Sequence, residues 1–334
     1  MRGLLARALW PASVLFSGLS ALRRGLYRCG VLKAEQVAVP VIVVGNLIAG
    51  GAGKTPVVMA IVDLLRRHGY TPGIVSRGYG GRAIGVLAVD RTLTAAESGD
   101  EPLLLHLRTG APLIVGRDRV AAVRHLMRLH PEVDIVVSDD GLQHLRLARI
   151  AQVLVFDERG VGNGWLLPAG PLREALPLHV PPRSVVVYNA PSPSTPLPGT
   201  LARRSFIGAV GLADWWRGVP ASAEVLDDLR GREVVAVAGI ARPGRFFAML
   251  RERGLRFTPL PLPDHHAYAT LPWPAAERDV IVTEKDAIKL DAARIGDTRV
   301  WVAPLDFALD AAFDAALLAL LPPPGTPPHG NAPA

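Results

Sequence analysis

The sequence of 334 residues contains one cysteine, Cys29, and few aromatic residues. One cysteine cannot form an intramolecular disulfide, which fits a protein of a reducing compartment. Aromatic residues make up 6%, and no basic run alternates with them, which argues against single-stranded nucleic acid as a ligand. The net charge of +7 favours an anionic partner, and composition alone does not choose between nucleic acid, an anionic membrane surface and a phosphorylated substrate.

Residues 1–28 lack an apolar run long enough to span a bilayer. About 20 apolar residues are needed for that, and here the apolar stretch lies between Arg7 and Arg23. A small-residue cleavage site typical of a signal peptide is also missing. The pattern favours an amphipathic helix that lies at a membrane interface, with packing on the protein's own core as the alternative.

Short apolar runs alternate with helical patterns along the rest of the chain, which predicts an α/β fold with a parallel sheet. We predict an N-terminal membrane-associating helical segment at residues 1–36 and a nucleotide-binding core at residues 37–205. A proline-rich stretch at residues 191–198 is predicted to be a loop or linker, and a smaller α/β domain follows at residues 206–321. The tail at residues 322–334 is rich in proline and glycine, which predicts disorder.

A glycine-rich turn at residues 50–55 lies between a predicted buried strand at 39–44 and a predicted helix at 56–68. Glycines let several backbone N–H groups point at phosphate oxygens, and the helix N-terminus adds positive potential. Lys54 would reach the β- and γ-phosphates, and Thr55 would ligate Mg²⁺. Ile48 replaces the first glycine of the strict P-loop pattern. The residues predicted to bind the nucleotide are Gly50, Gly51, Ala52, Gly53, Lys54 and Thr55. The core is therefore predicted to be P-loop NTPase-like.

Two adjacent aspartates, Asp139 and Asp140, directly follow a predicted buried strand at residues 134–138. A carboxylate at such a strand end holds the Mg²⁺ shell in P-loop enzymes. Adjacent residues cannot both face the same way off a strand, so one aspartate is predicted to meet the metal and the other to face loop amides or substrate. The sequence leaves open which of the two does which.

Together with the glycine-rich loop, residues 139–144 resemble the tetraacyldisaccharide 4'-kinase family, the lipid A 4'-kinases. Further segments match the family in order, at residues 76–80, 99–102, 115–119, 167–174, 264–268 and 283–287. A P-loop alone identifies only a superfamily, whereas this ordered set is specific. The resemblance extends from the N-terminal helix to about Leu320 and excludes the proline-rich tail.

The resemblance implies an ATP- and Mg²⁺-dependent kinase of lipid A biosynthesis. Such an enzyme transfers the γ-phosphoryl group to the 4'-hydroxyl of a tetraacylated glucosamine disaccharide 1-phosphate. It implies a peripheral protein at the cytoplasmic face of the inner membrane, with an acylated disaccharide phosphate lipid and an anionic membrane surface as partners. We expect no nucleic acid and no obligate protein partner.

The resemblance points to Asp100 as the catalytic base, working with His265, while Lys54 supplies positive charge. A carboxylate beside an imidazole orients the ring and stabilises its charged form. The two residues lie in different predicted domains, so domain closure would have to bring them together. Asp100 could instead be a helix N-cap.

Further residues are predicted to bind the metal or the substrate. The predicted metal ligands are Thr55, Asp139, Asp140 and Glu174. The predicted substrate contacts are Arg77, Arg117, Arg119, Gln143, His144 and Arg173. Arginine suits phosphate geometry, although a solvated surface arginine is the common alternative. His144 could equally be a packed structural residue.

Three other functions compete with a lipid kinase. A regulatory P-loop ATPase on membranes would have a similar loop and amphipathic helix. A soluble small-molecule kinase would leave the basic, apolar N-terminus unexplained. A nucleic-acid-dependent GTPase or ATPase is the third alternative. The GTPase form would need a guanine-reading Asn-Lys-x-Asp motif, which residues 283–286 match only in part. Stimulation of hydrolysis by lipid, sugar or nucleic acid would separate these alternatives.

Overall fold

A computed structural model describes residues 3–274 and 276–325. The larger of its sheets has eight strands: β1 (Val41–Gly45), β2 (Pro72–Ser76), β3 (Val86–Val89), β4 (Leu113–Gly116), β5 (Ile135–Asp139), β6 (Ala151–Asp157), β7 (Ser184–Asn189) and β8 (Thr200–Leu201). Their spatial order is β3-β4-β2-β5-β1-β6-β7-β8, and the pairs are parallel except for β3 with β4. The predicted parallel sheet is confirmed.

The helices of this first unit are α1 (Leu4–Ala8), α2 (Trp10–Arg28), α3 (Lys54–Arg67), α4 (Ala95–Ser98), α5 (Asp100–Thr109) and α6 (Arg119–Leu129). One apolar core joins α3 and α5 to one face of the sheet, and a second joins α6 to the other face. This two-sided cover explains why β1 is buried at all five positions and is rich in valine and isoleucine.

The order of the strands brings the predicted phosphate loop and the acidic turn to one edge of the sheet. β5 pairs with β1 in parallel, and Val44 lies opposite Asp139 in that pair. Because both strands end at the carboxyl edge, the segments that follow them are neighbours although about 90 residues separate them in sequence.

A second unit has a sheet of five strands. The connecting strand β9 (Arg203–Phe206) comes first, and then β10 (Val210–Gly211), β11 (Val235–Ala238), β12 (Thr258–Pro261), β13 (Asp279–Val282) and β14 (Arg299–Val302). The sheet order is β10-β14-β13-β11-β12. Its helices are α7 (Leu212–Arg217), α8 (Ala223–Asp228), α9 (Pro243–Glu252) and α10 (Glu284–Ala287). The predicted smaller α/β unit is therefore present.

The chain returns to the first unit after the second sheet. β15 (Leu305–Ala308) pairs with β9, and α11 (Ala311–Leu318) packs against β7. The beginning of the predicted disordered tail also packs there, because the Tyr70 hydroxyl donates to the Pro322 carbonyl at 2.5 Å and Gly325 N–H donates to Asp134 at 3.1 Å. Residues 322–325 thus contact the first unit, while residues 326–334 lie outside the described part, and the predicted disorder of the tail stays a prediction. The predicted domain boundaries stay predictions.

The N-terminal helix is amphipathic, as predicted. One face docks on the first unit, where Ser13 Oγ donates to the Leu166 carbonyl at 2.7 Å and Arg24 lies 3.5 Å from Glu174. The opposite face leaves Leu15 66% and Leu22 60% exposed. Within residues 3–274 and 276–325, no helix combines the length and the apolar character that crossing a bilayer requires.

Candidate active site

The phosphate loop connects β1 to α3, as predicted. Gly53 precedes the first turn of α3 with φ +76°, a left-handed conformation that glycine adopts without strain. A Cβ at Gly53 would lie 1.8 Å from the Asn189 Nδ2 atom. That amide, at the end of β7, donates to the Ala52 carbonyl at 3.0 Å. The loop is therefore held from a neighbouring strand, and Gly53 is required for that close approach.

Lys54 is positioned by a residue that sequence reasoning left without a role. Its Nζ donates to Asn46 Oδ1 at 3.2 Å, and Asn46, fully buried, donates from Nδ2 to the Ile48 carbonyl at 2.7 Å. Ile48, where the strict motif has glycine, is fully buried in the apolar core under the loop. At this position the chain therefore has a side chain packed in the core, Ile48, in place of the flexible glycine of the motif.

Arg159 holds the outer side of the same loop. It donates to the Gly51 carbonyl at 2.8 Å and to the Ala49 carbonyl at 3.2 Å, while Asp157 at the end of β6 fixes its guanidinium at 2.9 Å. Sequence reasoning also missed this residue, because no motif links it to the loop more than 100 positions earlier.

The acidic turn follows β5, where Asp139 is 2% exposed. One of its oxygens, Oδ2, accepts from Ser76 Oγ at 3.0 Å, while Oδ1 is buried with no hydrogen-bond partner among the described residues. Burial and the nearby Glu101 carboxylate raise the pKa of Asp139 to about 6. An orphaned carboxylate oxygen of this kind fits a cation ligand.

Asp140, the second residue of the acidic turn, contacts two cations. It has φ +48°, and its Oδ1 lies 3.3 Å from Lys54 Nζ and 3.1 Å from Arg173. Burial opposes its charge, but Lys54 and Arg173 hold the pKa of Asp140 below its usual value. The two adjacent aspartates thus have different partners, Ser76 for Asp139 and two cations for Asp140.

A polar network continues from Asp140 to the N-terminal helix. Arg173 donates to Gln143 at 3.2 Å, and Gln143 donates in turn to Glu174 at 3.1 Å. Glu174 is also the residue that pairs with Arg24 of α2. The helix that exposes apolar side chains is therefore connected, through three side chains, to the acidic turn.

The donor set fits Mg²⁺ with phosphates. Mg²⁺ usually takes one or two carboxylates, several waters and substrate phosphates instead of an all-protein cage. Across residues 3–274 and 276–325, no group of three or more carboxylate, histidine or cysteine side chains forms such a cage. Thr55, buried at the start of α3, and the orphaned oxygen of Asp139 are suitable ligands. Glu174 makes its contacts with Gln143 and Arg24. Its metal role stays a prediction.

The predicted substrate arginines differ in their surroundings, and Arg173 is the one paired with Asp140. Arg77 and Arg117 are exposed, and no ion pair joins either to another residue in the described ranges. Arg119 is 2% exposed and donates to the Gly116 carbonyl at 2.6 Å and the Asp139 carbonyl at 3.1 Å. Burial lowers its pKa to about 10. Arg119 therefore fixes the main chain of the acidic turn, and its contact with a substrate stays a prediction.

His144 is half-buried behind the acidic turn. Burial and the adjacent Arg119 lower its pKa, which favours a neutral ring. Its Nε2 atom has no hydrogen-bond partner within the part of the chain that the structure describes. A role for His144 in substrate binding stays a prediction.

The two predicted catalytic residues, distant in sequence, are in contact. His265 Nδ1 lies 2.8 Å from Asp100 Oδ2, and the ring of Tyr79 lies 6.2 Å from that of His265. Burial opposes the charge of Asp100, but His265, together with two lysines, holds its pKa below the usual value. An ionised carboxylate only accepts, so His265 Nδ1 donates, and the lone pair of a neutral ring is on Nε2.

Further contacts across the two units surround this pair. Lys285 of α10 pairs with Glu101 of α5, and Arg108 donates to Glu284 at 2.5 Å. Glu158 of the first unit pairs with Arg242 and Arg245 of the second. Glu101 in turn interacts electrostatically with both Lys54 and Asp139, which connects the Asp100 region to the phosphate loop.

A cavity of about 270 Å³ lies between the units, with residues 51–56 of the phosphate loop on one wall. The facing walls combine apolar side chains such as Met59 and Phe246 with the guanidinium groups of Arg204 and Arg245. Such a space, apolar with a few charged groups, is typical of a small-molecule site. A ligand phosphate bound at the loop would therefore face side chains of the second unit, such as Arg242 and Lys285.

Comparisons with known proteins agree with this geometry. Residues 5–322 match the family model described as tetraacyldisaccharide-1-P 4'-kinase. A tetraacyldisaccharide 4'-kinase of Methylibium petroleiphilum is 56% identical over 329 residues, covering 96% of this chain and 91% of the relative. One of Leptothrix cholodnii is 56% identical over 324 residues, covering 96% and 93%. A solved structure, LpxK from Aquifex aeolicus in complex with ATP, has a TM-score of 0.77 at 27% identity, covering 95% of this chain and 99% of that one.

Proposed function

This chain belongs to the tetraacyldisaccharide-1-phosphate 4'-kinase family and is an ATP-dependent kinase of lipid A biosynthesis, and we propose how its residues perform the transfer. The acceptor is the 4'-hydroxyl of tetraacyldisaccharide 1-phosphate. The observation that supports this mechanism most strongly is the 2.8 Å contact between Asp100 and His265, which combines groups from both units beside the phosphate loop.

ATP occupies the loop at residues 50–55, with its base and ribose in the cavity between the units. Lys54 and the backbone N–H groups of the loop bind the phosphates. Thr55 and Asp139 would hold Mg²⁺, which neutralises charge on the phosphates. Asp140, paired with Lys54 and Arg173, keeps those two cations oriented toward the same edge of the sheet.

Transfer begins when the acceptor oxygen attacks the γ-phosphorus. The bond from the γ-phosphorus to the bridging oxygen breaks, and ADP leaves. The hydroxyl proton passes to the Asp100–His265 pair, in which the ionised Asp100 fixes the ring and stabilises the imidazolium that forms. The exposed cations Arg77 and Arg117 are the candidates for the 1-phosphate of the acceptor.

The alternative of a regulatory membrane ATPase finds no support. The relatives that match nearly the whole chain are named as kinases.

We also propose that the enzyme works as a peripheral protein at the cytoplasmic face of the inner membrane. The outward face of α1 and α2 exposes apolar side chains: Leu4, Leu5, Trp10, Val14, Leu15, Leu19 and Leu22. Arginines near both ends of this segment would meet anionic headgroups, and an acylated acceptor would enter from the same surface.

Phosphoryl transfer to the lipid tests the proposed activity. Purified protein in detergent is incubated with γ-labelled ATP, Mg²⁺ and tetraacyldisaccharide 1-phosphate, beside Lys54→Ala and the exposed control Lys33→Ala. We expect label on the lipid with wild type and Lys33→Ala, and a loss of at least 100-fold with Lys54→Ala. Hydrolysis of ATP by the wild type without any labelled lipid would contradict the proposal.

A further inference from the structure

Lys289 is a buried amine that none of the roles above explains. Its side chain is 10% exposed, and its Nζ is buried without a hydrogen-bond partner among the described residues. The same atom lies 3.5 Å from Asp100 Oδ2, across the boundary between the units. Burying an ammonium group without hydrogen bonds is costly, so its retention at this distance from a catalytic carboxylate calls for a reason.

The other charges around Asp100 already have partners. His265 is bonded to Asp100, and Lys285 is paired with Glu101, the neighbour of Asp100 on α5. The second carboxylate beside His265 is Asp264, 4.0 Å from Nε2. Lys289 also acts on another carboxylate, Asp286. Burial raises the pKa of Asp286, and the charge of Lys289 opposes this rise. Lys289 is thus the second-unit cation that faces Asp100 without a directional bond.

We propose that Lys289 is a positioning residue that keeps Asp100 ionised when the two units meet, so that Asp100 accepts the hydrogen bond from His265 Nδ1–H and Nε2 is left to receive the proton of the acceptor hydroxyl. The inference rests on the proposed function, because it assigns Lys289 to the same proton-accepting pair. Lys289 acts through its positive charge, which favours the ionised form of the neighbouring carboxylate.

The direction of the electrostatic effect agrees with this geometry. Burial alone would favour the protonated, neutral form of Asp100. His265, Lys289 and Lys285 together reverse that tendency and lower the pKa of Asp100. Without Lys289 the pair would take up a proton at higher pH, and the fraction of enzyme able to accept the acceptor's proton would fall at neutral pH.

Lys289→Met removes the charge and keeps an unbranched side chain that is one heavy atom shorter. We expect the acid limb of the kcat–pH profile for lipid phosphorylation to move to higher pH by about one unit or more, with activity largely recovered on the alkaline side. The control Arg294→Met removes an exposed cation of the same unit and should leave the limb in place. An unshifted limb in Lys289→Met, or an equal loss of kcat at every pH, would overturn the inference.

A second measurement needs no activity and separates this inference from the proposed function. In protein labelled at the aspartate carboxyl carbon, the Asp100 signal is assigned by its absence in Asp100→Asn. In Lys289→Gln we expect the titration midpoint of Asp100 to rise by about one unit or more. An unchanged midpoint would contradict the role of Lys289 whether or not the wild type phosphorylates the lipid. A wild type that labels no lipid would refute the proposed function alone.

Discussion

Asp139 is a buried carboxylate that lacks a partner on one oxygen among the described residues, a position that a bound cation would fill. It lies buried at the end of β5, bonded through one oxygen to Ser76 and unpaired at the other. Its pKa is raised from 3.8 to about 6, chiefly by burial. Keeping it ionised at neutral pH therefore costs the ligand-free fold roughly 3 kcal/mol, a cost that a cation at the orphaned oxygen would remove.

Asp139→Asn should stabilise the ligand-free protein while impairing its Mg²⁺-dependent activity. A folded-state pKa above the unfolded value means that the wild type loses stability as the pH rises from about 4 through about 6. The variant lacks this loss, so its melting temperature should exceed that of wild type at pH 7.5, with a smaller difference at pH 5. The exposed control Asp297→Asn should melt like wild type at both values. A variant that melts lower than wild type at pH 7.5 would contradict the account.

At the residue scale, the sequence predicts side chains that belong to a local motif. Lys54 and Asp139 lie at fixed positions after buried strands, so pattern and chemistry together identify them. Asn46, Asn189 and Arg159 hold the same loop but could not be predicted. The contributions of Asn189 and Arg159 depend on which strand ends are neighbours, and that order is a property of the folded sheet. The contribution of Asn46 depends on how the loop itself folds back toward Lys54.

The phosphate loop, as an element, depends on the backbone conformation at Gly53. Gly53→Ala would strain a left-handed φ of +76° and drive a methyl group into Asn189, which must then release the Ala52 carbonyl. Gly51→Ala is the matched control, because nothing lies within 4 Å of a Cβ there and its φ needs no glycine. We expect Gly53→Ala to lower the melting temperature of the ligand-free protein and Gly51→Ala to leave it unchanged. Equal melting temperatures would argue against this role of Gly53.

The apolar face of α2 should determine membrane association. Leu15→Glu combined with Leu19→Glu places two charges on the exposed face, and each buried leucine is worth about 2 kcal/mol in an apolar environment. We expect binding to vesicles of anionic phospholipid, measured by flotation, to fall at least tenfold. Val219→Glu, on an exposed position of the second unit, is the control. Unchanged flotation of the double variant would contradict the membrane proposal.

Substitution is a cleaner test than removal of the helix. Ser13 and Arg24 lie on the docked face of α2. They contact Leu166 and Glu174, which lie in the same segment as Arg173. Deleting residues 1–28 would therefore disturb the active site together with the membrane surface. Substitution of the exposed leucines changes only the outward face of α2 and leaves its docked face intact.

At the element scale, long buried strands were predictable and short edge strands were not. β1 and β5 are continuous apolar runs with turn signals on either side. β12 contains two prolines and was not predicted, since proline donates no hydrogen bond and is tolerated only at an edge, where β12 lies. β3 lies at an edge of the first sheet and pairs antiparallel with β4. It is only partly buried, so it lacks the continuous apolar pattern of the central strands.

At the scale of the whole molecule, the proposed active site lies between two units. The first supplies the phosphate loop, the acidic turn and Asp100. The second brings His265, Lys285 and Lys289, and ion pairs from Glu158 to Arg242 and Arg245 hold the facing surfaces together. Substrate binding can therefore be coupled to catalysis through the approach of the units.

The sequence predicts both units, and the family resemblance suggests that Asp100 and His265 cooperate. Periodicity alone could not place them together, because 165 positions separate them and their contact depends on how the two units pack together. The return of α11 to the first unit was unpredictable for the same reason. Its alanine-rich sequence indicates a helix but carries no information on which sheet it covers.

The most direct test of the account is a double-mutant cycle on Asp100 and His265, with kcat for lipid phosphorylation as the readout and melting temperature as a check on folding. Asp100→Asn and His265→Ala should each lower kcat by about 100-fold or more, and His266→Ala should remain near wild type. Because the pair acts as one unit, the double variant should lose little more than the worse single variant. If the two losses multiply, the residues act independently, and the central claim of a shared proton-accepting pair is wrong.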